Sequence, residues 1–234
     1  MTRRLLPALL WLAGAAQAEP LVDDTSWKGR ADLGYFSQSG TNGSRDRITA
    51  KGELNRQDDD HLFENRVEMV RVTDRNVGNT ERYLGVSKQR WNQGSGRYLF
   101  LREQLEHDSV SAARFQALMT GGLGQALIED EGQTLTADLG VGARYTRFRA
   151  DGDEVAPVVT GNLDYLYKFN ETTRVQQRVG LEQGQAVQVL RSLSEVRFQL
   201  SQAVGFGVGY DLKREYGERS TRLGIVTINL SYAF

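Results

Sequence analysis

The chain ends in TINLSYAF, residues 227–234, and the alternation in that stretch decides the fold. Val226, Ile228, Leu230, Tyr232 and Phe234 are apolar and lie two apart, with Thr227, Asn229, Ser231 and Ala233 between them. Successive side chains of a strand point to opposite faces, so period two gives one apolar face and one polar or small face. The last residues of a soluble domain usually fray. Here the apolar face needs a partner up to the final residue, and that partner is a protein core or lipid.

The same pattern recurs along the chain. WKGRADLGYF sets Trp27, Gly29, Ala31, Leu33 and Tyr35 on one face, against Lys28, Arg30 and Asp32. ITAKGELN sets Ile48, Ala50, Gly52 and Leu54 against Thr49, Lys51, Glu53 and Asn55. TLTADLGVGARYTRF is the longest case, with Leu135, Ala137, Leu139, Val141, Ala143 and Tyr145 on one face. VVTGNLDYLYKF and VGFGVGYDL repeat it. These runs fit a period of two residues rather than 3.6. Between them lie QSGTNGS, RQDDDH, DRNVGN, NQGSG, DSVS, EDEG, DGDEVAP, NET, GQAVQVL, SQA and YGER, which read as connections rich in Gly, Asn, Asp and Ser.

Twelve strands follow, over 27–37, 45–56, 62–72, 81–91, 97–107, 112–126, 133–148, 155–169, 173–184, 191–200, 204–216 and 220–234. Globular strands average about five or six residues, whereas a tilted strand crossing a bilayer needs about 9–11. Length therefore selects lipid over a protein core. The expected fold is all-β, an up-and-down transmembrane barrel of about twelve antiparallel strands. An even number returns the chain to the side where it entered, and closure removes the exposed edges of an open sheet.

Composition agrees. The chain has no cysteine, which excludes disulfides, thiolate metal sites, cysteine nucleophiles and a lipoprotein anchor. The net charge of −1 says nothing about nucleic acid, but no basic patch is concentrated anywhere, so nucleic acid is not an expected partner. At the start, Arg3 and Arg4 precede an apolar run from Leu5 to Ala16 and the small-residue site Ala16-Gln17-Ala18. This reads as a secretory signal over residues 1–18, cleaved after Ala18, with the barrel domain at 19–234. The mature chain then carries 27 basic and 30 acidic side chains, a net charge of −3.

Arginine recurs within strands at Arg66, Arg82, Arg102, Arg144, Arg178, Arg197 and Arg222, interleaved with Glu53, Glu64, Glu68, Glu103, Asp138, Asp164, Glu182 and Glu195. Arginine forms planar two-pronged pairs with carboxylates, so the expected interior is laced with ion pairs. Arg144, Arg178, Arg66, Glu68 and Asp138 are the candidate lumen charges. Such a lumen is either a narrow wet channel or filled by its own side chains. Trp27, Tyr35, Tyr83, Trp91, Tyr98, Tyr145, Phe169, Tyr216, Tyr232 and Phe234 fall near strand ends, where interfacial girdles place aromatics.

Catalytic signals are sparse. The only histidines are His61 and His107. His107 and Ser109 stand two apart, as in a base-activated acyl transfer site on a strand, but no third member is in place, since Asp108 points the other way. The acidic turns at 58–60 and 151–154 offer oxygen ligands without the loop spacing of a calcium site. GGLG at 121–124 lacks the helix and the Lys-Ser/Thr pair of a phosphate cradle. No catalytic residue, cofactor or metal is expected.

The order WKGRADLGYF, QSGTNGS, YLGVSKQRW, GGLG, LGVGARYTRF and terminal TINLSYAF resembles the family of salt-induced outer-membrane proteins, whose domain has no established function. SGTNGS departs slightly from that family's Ser-Gly-Asn turn. The resemblance covers nearly all of the mature chain and implies a Gram-negative outer-membrane barrel, with no implied activity or substrate. It sets the expected localisation in the outer membrane. The expected partners are membrane lipid, lipopolysaccharide, periplasmic chaperones and the barrel assembly machinery. Phe234, Tyr232 and Leu230 form the expected assembly signal, read by strand addition. The expected function is a small-solute or ion channel, or a barrel serving the envelope under salt or osmotic stress. The alternatives are a filled structural barrel and an outer-membrane lipid hydrolase.

Overall fold

The computed structural model describes residues 27–40, 43–58, 60–74, 78–111, 113–149, 152–185, 187–217 and 220–234. The secretory signal expected over residues 1–18 lies outside them. Twelve strands run in chain order: β1 Lys28–Gly40, β2 Gly43–Gln57, β3 His61–Asp74, β4 Gly78–Gly94, β5 Arg97–Asp108, β6 Ala113–Asp130, β7 Gln133–Phe148, β8 Asp153–Lys168, β9 Thr173–Gly184, β10 Gln188–Gln199, β11 Val204–Tyr216 and β12 Thr221–Ala233. Every strand pairs antiparallel with its chain neighbours, and β12 returns to β1, which closes the barrel. Among the described residues there is no helix.

The barrel is inside out relative to a soluble protein. On β7, Leu139 and Val141 are 71% and 67% exposed, while Asp138 between the apolar positions is 6% exposed. The register carries this parity around the ring, so Leu33, Val67, Leu105, Leu123 and Leu230 also face outward. Polar and charged side chains are enclosed inside.

Local chemistry explains the turns. In NQGSG, Ser95 and Gly96 both take positive φ, at 54° and 71°, the pairing that joins twisted strands through a two-residue hairpin. Two expected connections are shorter than the sequence suggests. Val189 and Leu190 of GQAVQVL belong to β10, and Val189 is fully enclosed. Pro157 of DGDEVAP lies inside β8, opposite Ala143 of β7. The β8–β9 ladder begins only at Val158, so no partner on that side needs the N–H that proline lacks.

Outward aromatics collect at both ends. At the end that carries the chain termini, Trp27 meets Phe63 edge-on, Phe198 stacks on Phe206, and Tyr232 stacks on Phe234. At the far end Tyr83 lies beside His107 and Phe115 meets Tyr145. Tyr98 breaks the expected girdle. It points inward and is 5% exposed, because position 98 shares the parity of Phe100, Arg102 and Gln104 rather than of Leu99.

The β1–β12 seam is the shortest ladder, with five paired positions from Arg30–Ala233 to Gly34–Asn229, against thirteen between β1 and β2. Phe234 extends it. Its N–H donates to the Gly29 carbonyl at 3.0 Å, and its own carbonyl accepts from Gly29 N–H at 2.8 Å. Leu230, Tyr232 and Phe234 are exposed on the outer face, at 60%, 46% and 69%. Deleting Phe234 removes both hydrogen bonds from the weakest seam. Several-fold less heat-modifiable protein is expected in the membrane fraction at unchanged export, read by gel shift; equal folded yield would refute this.

Candidate functional site

The interior is crossed by ion pairs. Glu106 on β5 accepts from Lys213 Nζ on β11 at 2.9 Å and from Arg191 on β10 at 2.6 Å. Arg191 also reaches Glu182 on β9 at 3.3 Å, and Glu182 pairs with Arg144 on β7. Lys213 pairs with Glu215 at 2.8 Å. The result is one continuous chain of six charges. A second cluster joins Arg82 to Glu68 at 2.6 Å and to Asp211 across the lumen at 3.3 Å.

In a ring of twelve, β5 and β11 are six strands apart, the largest separation available. Strands about 4.8 Å apart and tilted by about 40° would close a circular ring about 24 Å across. That exceeds the combined reach of one lysine and one glutamate side chain. The section is therefore flattened at this level, with β4 and β5 drawn toward β10 and β11. Glu106 and Glu182 are each 3% exposed and Lys213 is 6% exposed. Side chains lining a water-filled bore would be wet, and these are not.

Toward the end that carries the termini the packing loosens into a polar cavity of about 180 Å³. Arg66, Glu68, Asp138 and Arg178 line it. Arg178 binds Asp164 at 2.8 Å and reaches Glu53 on β2 at 3.7 Å. Asp138 accepts from Lys88 and, at 2.5 Å, from the Tyr98 hydroxyl. Arg66 is half-buried and has no ion pair with a described residue. Arg144 lies outside the cavity wall, within the six-charge chain.

Gly124 of GGLG and Gly140 of β7 make room beside this wall. A Cβ on Gly124 would fall on the Tyr98 ring and on Asp138, and one on Gly140 would approach Phe100 at 2.8 Å. The missing side chains let both aromatic rings turn inward. Gly124→Val is expected to destabilise the barrel by about 1–3 kcal/mol through overpacking; a urea midpoint equal to wild type would contradict this.

Grouping charges by residue type misplaced two of them and passed over the centre of the cluster. Glu103 stands between Leu101 and Leu105 and is exposed on the outer face, and Arg222 also points outward, opposite Arg214. Glu106, Arg191 and Lys213, the centre of the cluster, were identifiable only by following strand parity from Gln104, Glu195 and Asp211. His107, Asp108 and Ser109 diverge. His107 sits by Tyr83, Asp108 caps the turn at the N–H groups of Val110 and Ser111, and the Ser109 hydroxyl accepts from Glu81 N–H at 2.7 Å. Asp59 and Asp151 of the acidic turns lie outside the described residues. Among the described residues, no three His, Asp or Glu side chains converge as a metal site requires.

Residues 31–234 match the family described as a protein of unknown function, DUF481. The chain belongs to that family. No curated protein matches it. Among solved structures it is similar to the COG4313 outer membrane channel from Pseudomonas putida F1, at 11% identity and a TM-score of 0.51, covering 94% of this chain and 97% of that one. It also matches the NanC porin at 8% identity and TM-score 0.48, covering 89% and 98% of the two chains. The KdgM porin matches at 12% identity and TM-score 0.46, covering 88% and 99%. These likenesses are to outer-membrane barrels and concern the fold.

Proposed function

We propose that this protein is an outer-membrane barrel that is closed to free diffusion, and that it serves the envelope as a filled structural element. The near-complete burial of Glu106, Glu182 and Lys213 inside the barrel supports this reading. The exposed apolar outer face with aromatics at both ends fits a bilayer. In this proposal the chain is exported by its N-terminal signal and handed by periplasmic chaperones to the assembly machinery. It then rests against membrane lipid and lipopolysaccharide.

A flattened, cross-braced section resists lateral compression better than an empty ring, which suits an envelope under osmotic load. A second reading, a narrow ion conduit, draws on the polar cavity of about 180 Å³. No catalytic role is proposed. The test is conductance of the purified, heat-modifiable protein in a planar bilayer. Silence is expected; discrete steps in the unmodified protein would favour the conduit.

A further inference from the structure

Arg66 and Arg102 face the cavity without a carboxylate to hold them. Arg66 Nε is enclosed and makes no hydrogen bond. Arg102 meets only neutral acceptors, Asn162 Oδ1 at 3.0 Å and Gln104 Oε1 at 2.7 Å. The nearby carboxylates are engaged elsewhere. Glu68 holds Arg82, Glu53 holds Arg30 at 2.8 Å, Glu182 holds Arg144 and Arg191, and Asp138 holds Lys88. The cavity wall carries seven acidic and seven basic side chains, yet Arg66 and Arg102 are the two of its cations that no described carboxylate holds in an ion pair.

A cation held partly away from water without a carboxylate partner is costly. Guanidinium forks match the oxygens of phosphate and carboxylate groups. The space of about 180 Å³ has room for a small anion and some water. We propose that the cavity binds a divalent oxyanion, of phosphate or carboxylate type, between Arg66 and Arg102. The two unpaired charges set the valence. Entry is from the end that carries the termini, since the six-charge chain blocks the other. The site does not require the barrel to conduct.

The experiment uses the full protein purified from outer membranes in detergent. Its thermal midpoint, read by gel shift, is followed while inorganic phosphate or malonate is titrated against chloride at equal ionic strength. One of the two oxyanions is expected to raise the midpoint beyond chloride, and which one does so identifies the ligand type. The variant Arg66→Gln/Arg102→Gln is expected to bind that anion about tenfold or more weakly by calorimetry. The same variant is expected to melt higher than wild type without anion, because it no longer holds two charges away from water without a carboxylate partner. Arg66→Lys keeps the charge but loses the fork, and provides a folded control with weakened binding. Equal responses to chloride and both oxyanions in wild type would overturn the site, as would equal oxyanion binding by wild type and the double glutamine variant.

Discussion

Glu106→Ala is expected to destabilise the folded barrel by about 3–5 kcal/mol, the range for breaking a buried ion pair by removing one partner. Glu106 is the carboxylate that Arg191 and Lys213 share, with its side chain 2% exposed. Its loss leaves two cations facing each other in a dry interior. Arg191 retains Glu182 and Lys213 retains Glu215, so the effect lies toward the lower end of the range. Replacing all three residues together by Leu or Met of similar volume is expected to recover most of the stability, because no unpaired charge remains there. Urea midpoints of refolded protein check both. A single variant as stable as wild type would mean that water already reaches this cluster.

The second large effect concerns conductance. Glu106→Ala, Arg191→Ala and Lys213→Ala together remove the side chains that span the flattened section. A silent barrel is expected to become one with discrete single-channel steps. The volume-conserving Leu and Met version is expected to stay silent, which separates lost bulk from lost charge. If the alanine triple variant folds, shows heat modification and remains silent, the closure lies elsewhere, and the Arg82–Glu68–Asp211 cluster is next to test.

The strand count and the inside-out pattern were legible because alternation is a local property. Leu135 to Tyr145 display it without reference to any other strand. Where two faces are alike in polarity the pattern is lost. Val189 and Leu190 stood beside Gly184 and Gln185 and looked like a connection, yet they are strand. Glu103 was grouped with the lumen charges by residue type, although the parity of Leu99, Leu101 and Leu105 already placed it outside. Arg66, Glu68, Asp138 and Arg178 line the cavity and Arg144 pairs with Glu182, but the partners of such charges were not readable. Glu106 and Lys213, or Arg82 and Asp211, meet only when the ring closes, and nothing near either residue marks the other. The flattening follows from those contacts and was equally invisible.

The short β1–β12 ladder has a kinetic consequence. Eleven of the twelve ladders join chain neighbours, and each can form through a small loop closure. The twelfth joins Arg30 to Ala233, so it bears the largest closure entropy for the fewest paired positions. Non-local pairing of this kind slows folding. The hairpins therefore form early and the seam forms last. During that interval the free edges of β1 and β12 are open to pairing with another strand, and the lifetime of that open form sets how long the nascent barrel needs protection from its neighbours.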